Sequence, residues 1–150
     1  MDALVPFVSG WMANFLKNKD AFTRRIESIQ DKGDGNFTIS YKDGRAAECL
    51  ILPDTQELLQ ALDREKHYII CLLNSRKSLD FLIANWKSLI DFRSMTIYFV
   101  NPLSQLEKKW IISPYTHNRI CDDASLKLGL NSMFETVEAT DEESLKARLK

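Results

Sequence analysis

The sequence predicts an α/β domain built on a mixed β-sheet of about five strands, with helices packed on at least one face. Three observations predict it. Tyr68 to Leu73 and Met95 to Val100 are apolar runs without alternation, as expected of central strands covered on both faces. Between them Leu79, Leu82, Ile83, Trp86, Leu89 and Ile90 recur at helical spacing, so strand, helix and strand make a βαβ unit with a right-handed crossover. Upstream, Asn36 to Tyr41 alternates polar and apolar residues and returns as Ala46 to Leu52 across Asp43-Gly44, a hairpin signature.

The remaining elements follow in order. Leu4, Phe7, Val8, Trp11, Met12 and Phe15 fall at helical spacing after Asp2, with Pro6 acceptable in the first turn. A second stripe, Ala21, Phe22, Ile26 and Ile29, extends the helical pattern past a bend near Asn18 until Lys32-Gly33-Asp34-Gly35 ends it. In the hairpin, a three-residue loop with Gly44 left-handed sets Ile39 opposite Ala47 and Phe37 opposite Cys49, which keeps Glu48 off the buried face. Asp54 with Glu57 caps a short helix to about Leu62. Trp110 to Ile112 follows Val100 too closely for a parallel crossover, so antiparallel pairing is expected. Ser113 to Asp123 reads as loop. Leu126, Leu130, Met133 and Phe134 mark a helix, and Thr140 with Glu143 reads as a capping box for a last one. In that last helix, Asp141 to Glu143 lie early and Lys146, Arg148 and Lys150 late, as the helix dipole favours.

The chain of 150 residues fits one domain, 1–150, able to bury its own core. Its 20 basic and 21 acidic residues nearly cancel. Such a balance gives no strong nucleic-acid signal and no membrane signal, although it leaves room for a local basic patch. Cys49, Cys71 and Cys121 form no C-x-x-C pair, and free thiols suit a reducing, cytoplasmic setting. Ala3 to Leu16 is interrupted by Pro6, Ser9, Gly10 and Asn14, so it is read as neither a signal peptide nor a membrane span.

Glycine-rich phosphate loops, H-E-x-x-H and G-x-S-x-G are absent from the sequence. With two histidines and no local carboxylate cluster, no metal and no cofactor is expected. Two segments carry candidate binding residues. Asn74 to Ser78 joins a central strand to a helix at the carboxyl edge of the sheet, where open α/β sheets bind ligands. There Ser75, Arg76 and Ser78 would suit a phosphate or carboxylate, or Ser75 or Ser78 would simply cap the helix. Ser113 to Asp123 contains Tyr115, His117, Arg119 and Asp122: an aromatic surface, a group titrating near neutrality, a fixed cation and a carboxylate. Antiparallel pairing of 95–100 with 110–112 would put these two segments on opposite edges of the sheet.

Helix, two-strand hairpin, strand, helix and strand, over about Pro6 to Val100, resembles the element order of restriction-endonuclease-like nucleases. The resemblance implies a metal site built from an acidic residue and a Glu-x-Lys pair on neighbouring strands. Asp43 and Glu48 lie in the hairpin, but Glu48-Cys49-Leu50 has leucine where lysine is wanted, and Tyr68 to Leu73 carries no charge. On this resemblance the chain is a hydrolase with a degenerate nuclease site. No complete catalytic constellation is legible, so a non-enzymatic binding or regulatory module using the 113–123 loop is the favoured reading. Its partner would be a protein or a small anionic ligand. The hydrolase and a small-anion binder at 74–78 are the alternatives.

Overall fold

The computed structural model describes residues 3–149; Asp2 and Lys150 lie outside them. The sheet is mixed and has six strands in sequential order: β1 (Ile26–Asp31), β2 (Phe37–Tyr41), β3 (Ala46–Ile51), β4 (Tyr68–Leu73), β5 (Met95–Val100) and β6 (Lys109–Ile112). The first three form an antiparallel meander, β3, β4 and β5 are parallel, and β6 returns antiparallel. Helix α1 (Leu4–Lys19) and helix α7 (Glu142–Arg148) cover one face. The opposite face carries α2 (Thr55–Ala61), α3 (Arg76–Ala84), α4 (Trp86–Leu89), α5 (Pro114–Ile120) and α6 (Asp123–Glu135). The parallel crossovers through α2 and α3 step across the sheet in one direction, so a common hand places both on the same face.

The apolar runs of β4 and β5 now have their explanation. Tyr68, Ile70 and Leu72, with Met95, Ile97 and Phe99, face the core beneath α2 to α6. Cys71 and Leu73, with Tyr98 and Val100, face α1 and α7. Except for the half-buried Ile69 and Thr96, each successive side chain is buried on one side or the other. The hairpin takes the three-residue loop: Phe37 pairs with Cys49, Ile39 with Ala47, and Gly44 sits at φ +90°.

The sixth strand corrects the helical reading of Ala21 to Ile29. Ile26 and Ile29 belong to β1 and not to an extension of α1, which ends at Lys19. The register slips between Ile26 and Ser28, a bulge that inserts one extra residue. That insertion puts two residues three apart on one side of a strand, and so imitates helical spacing. Three smaller differences each have a local cause. The 79–90 helix is broken at Asn85, whose side-chain N–H donates to the Phe81 carbonyl at 2.9 Å. Ser113 to Asp123 is mostly helix, because Pro114 occupies the first turn of α5. Asp141, rather than Thr140 with Glu143, caps α7 by accepting from the Ser144 N–H at 2.8 Å.

Two buried asparagines at the carboxyl ends of β4 and β5 bind the C-terminal segment to the sheet. Asn74 is fully buried. Its amide N–H₂ donates to the carbonyls of Phe134 (3.1 Å) and Val137 (2.9 Å), and its oxygen accepts from Trp110 Nε1 at 2.7 Å. Its backbone donates to Val100 and accepts from Thr140. Asn101 adds a bond to the Glu138 carbonyl at 3.0 Å. Trp110 also stacks on Phe99, ring centroids 4.2 Å apart.

Asn74→Ala should cost about 3 kcal/mol in denaturant unfolding, because the Trp110 indole N–H and the Val137 carbonyl lose a buried partner. Gly44→Ala should cost about 1 kcal/mol, because a β-carbon is poorly tolerated at that φ. An unshifted midpoint would contradict either assignment. Burial pushes the Cys49 thiol up to about 12 and raises the fully enclosed Cys71 as well. A thiol reagent should therefore leave both untouched in the native protein and modify them on unfolding.

Candidate functional site

The sheet has two contrasting edges. At the amino edge β3, β4 and β5 begin, and there the chain also enters β1, turns from β2 to β3, and leaves β6. At the carboxyl edge the parallel strands end.

A cleft of about 660 Å³ opens at the amino edge. Arg24, Arg25, Lys42 and Arg45 line it with His67, Tyr41, Ser94 and Thr96, against a single carboxylate, Asp43. Two turns deliver the four cations. In the first, the Asp20 carboxylate accepts from Arg25 N–H (2.8 Å), Ile26 N–H (3.0 Å) and the Thr23 hydroxyl (3.0 Å). Partial desolvation raises the Asp20 carboxyl. The Ile26 and Arg25 N–H groups, the Thr23 hydroxyl and nearby Lys42 outweigh it and hold the group below its ordinary value. Arg24 sits at φ +48° within this turn. In the second turn Asp43 accepts from the Arg45 N–H at 2.9 Å, and its other oxygen lies 3.7 Å from Arg45 Nε. The Lys42 N–H donates to the Arg25 carbonyl at 2.9 Å, which locks the two turns together.

The start of α5 lies on this same edge. Ser113, its N-cap residue, is 3.3 Å from the hydroxyl of Thr96. Tyr115 is flanked by two guanidinium groups, Arg93 and Arg119, each 5.7 Å from its ring centroid. His117 meets the Trp86 ring edge-on, with centroids 5.7 Å apart. Asp122 caps α6: its carboxylate accepts from the Ser125 N–H (2.9 Å) and hydroxyl (2.7 Å). These bonds, the hydroxyl's first, hold its carboxyl below the ordinary value. The four residues named from the sequence therefore divide. Tyr115 and Arg119 are together, while His117 faces α4 and Asp122 is spent on a cap.

The carboxyl edge holds the other segment. Ser75 Oγ accepts from the Ser78 N–H at 3.1 Å and donates to Ser78 Oγ at 3.0 Å, with both residues buried. Arg76 donates to Asn131 at 3.0 Å and lies over the Phe134 ring, 5.2 Å from its centroid. The cleft beside them, about 1080 Å³, is lined by Asp54, Asp141, Glu142 and Glu143 against Arg76 and Lys77. Its excess of negative charge disfavours an anion. Asn74 is occupied inside the fold.

The metal set implied by the nuclease resemblance does not fit these residues. Asp43 is at the hairpin tip, facing Arg45, whereas Glu48 pairs with Lys32 at 2.9 Å. No group of three His, Cys, Asp or Glu among the described residues is placed to hold a metal ion. Sequence reasoning missed the amino-edge cations because they come from two separate turns. The Arg24-Arg25 pair is visible in the sequence, but the helical spacing of Ala21 to Ile29 hides its place in a turn. Comparison with protein-family models, curated protein sequences and solved structures finds no match to the chain.

Asp122→Ala should lower the thermal midpoint at pH 7. A carboxylate with a depressed folded pKa stabilises above its unfolded value, near 3.8, and that contribution disappears as pH falls through the lower folded value. Melting curves of variant and wild type should therefore converge in strong acid; a gap that persists there would exclude the charged cap as its source.

Proposed function

We propose that this chain is a non-enzymatic binding module that takes an anionic group at the amino edge of its sheet. The observation that supports this is the convergence of Arg24, Arg25, Lys42 and Arg45 on one cleft with a single opposing carboxylate. Guanidinium groups are weakly hydrated and present several donors in a fixed fork, which suits phosphate and carboxylate oxygens. The turns that carry them are closed by their own hydrogen bonds, so little ordering remains to be done on binding. Tyr115 with Arg93 and Arg119 extends the same surface toward β6 and keeps part of the 113–123 segment in the reading. The unpaired thiols of Cys49, Cys71 and Cys121 support a cytoplasmic setting. No helix among the described residues is long and apolar enough to cross a membrane.

Inorganic tripolyphosphate tests the proposal. At matched ionic strength it should raise the thermal midpoint above that in chloride, by a stabilisation of about 2.7 kcal/mol when present at a hundred times its Kd. The double substitution Arg25→Ala, Arg45→Ala should remove the shift, and Arg76→Ala should leave it intact. The reverse pattern would move the anion to the carboxyl edge and overturn the proposal.

A further inference from the structure

Phe22 is 97 % exposed, and no large apolar side chain among the described residues is more so. It is not a frayed end. It sits in the turn closed by three bonds to the Asp20 carboxylate, and the Arg24 N–H adds a fourth bond to the Asp20 carbonyl at 2.8 Å. A rigid turn thus holds an aromatic ring in water, two residues from the paired arginines of the basic cleft. Lys17 and Lys19, both exposed, end α1 immediately before it.

We infer that the anionic partner of the amino edge is the surface of an acidic lipid membrane, with Phe22 entering the interface and the surrounding cations meeting the headgroups. The inference rests on the amino-edge reading above. A wholly exposed ring has no protein wall behind it. A base-stacking platform normally rests one face on the protein, so a projecting ring better suits a soft medium that closes around it. The second argument is the sign of the far edge. Asp54, Asp141, Glu142 and Glu143 outnumber Arg76 and Lys77 at the opposite end of the parallel strands. A planar negative surface attracts the basic edge and repels the acidic one, and so fixes the orientation in which Phe22 points inward. Leu106, 89 % exposed, does not compete: it lies between β5 and β6 on the far edge, and nearby Lys108 is committed to the carbonyls of Pro102 and Ser104 at 3.1 and 2.8 Å.

Vesicle co-sedimentation is the test, with vesicles of phosphatidylcholine alone and with about one third phosphatidylserine. The full chain should bind the second and not the first, and added salt should weaken binding. Phe22→Ala should weaken vesicle binding roughly tenfold or more, leave the tripolyphosphate shift unchanged and, as the ring is exposed, leave the fold unchanged. Phe22→Trp should restore binding. Lys42→Ala should weaken it roughly fivefold. If tripolyphosphate binds but acidic vesicles do not, or if Phe22→Ala binds them as well as the wild type, the lipid inference fails and the amino-edge reading stands. If a single-stranded oligonucleotide binds more tightly than the vesicles and depends on Phe22, the partner is a nucleic acid and the inference is overturned. If neither tripolyphosphate nor vesicles bind, the amino-edge reading falls with it.

Discussion

The side chain of Asn74 joins three distant parts of the chain at one buried point. An amide buried without partners would cost several kcal/mol, so its position is permitted only when three groups from distant segments arrive together. They are the Trp110 indole on β6 and the carbonyls of Phe134 and Val137 at the end of α6. The edge strand, the central strand and the C-terminal segment are thereby fixed in one relation. Asn74 satisfies the N–H of the Trp110 ring that stacks on Phe99 and ties down the turn that leads from α6 toward α7. Its position after an apolar strand invites a functional reading, but its hydrogen bonds are all consumed internally.

This tie also sets the charge at the carboxyl edge of the sheet. In most open α/β sheets the carboxyl edge receives the ligand. Here Asn74 and Asn101 draw the 134–140 segment across that edge, and the capped start of α7 brings Asp141, Glu142 and Glu143 with it. The cations that could receive an anion are gathered at the opposite edge, on turns that the meander adds beside the parallel strands.

The parts of the fold legible in the sequence were those in which each residue obeys a local rule. The continuous runs of β4 and β5, the Asp43-Gly44 turn and the short return of β6 all follow from burial, turn chemistry and chain length. Where two rules compete, the sequence misleads. The bulge in β1 copies a helix period, and Pro114 starts a helix where a proline beside polar residues reads as a loop. The site was less legible for a different reason. Arg24-Arg25 precede β1 whereas Lys42 and Arg45 follow β2, and only the antiparallel register brings the two turns to one end of the pair. Tyr115 and Arg119 were recognisable as a pair on one helical face only once the segment was known to be helical. A net charge of -1 summed over the chain conceals opposite excesses in the linings of its two clefts.

That separation of charge has a consequence for the bulk behaviour of the protein. A molecule with a positive end and a negative end carries a permanent dipole even when its net charge is close to zero. Neighbouring molecules in dilute buffer then attract one another end to end, and little net repulsion opposes them near neutral pH. Dissolved ions shorten the reach of that attraction to about 10 Å at 0.1 M. Solubility should thus be lowest in deionised solution and rise with the first additions of salt, the salting-in of a dipolar ion.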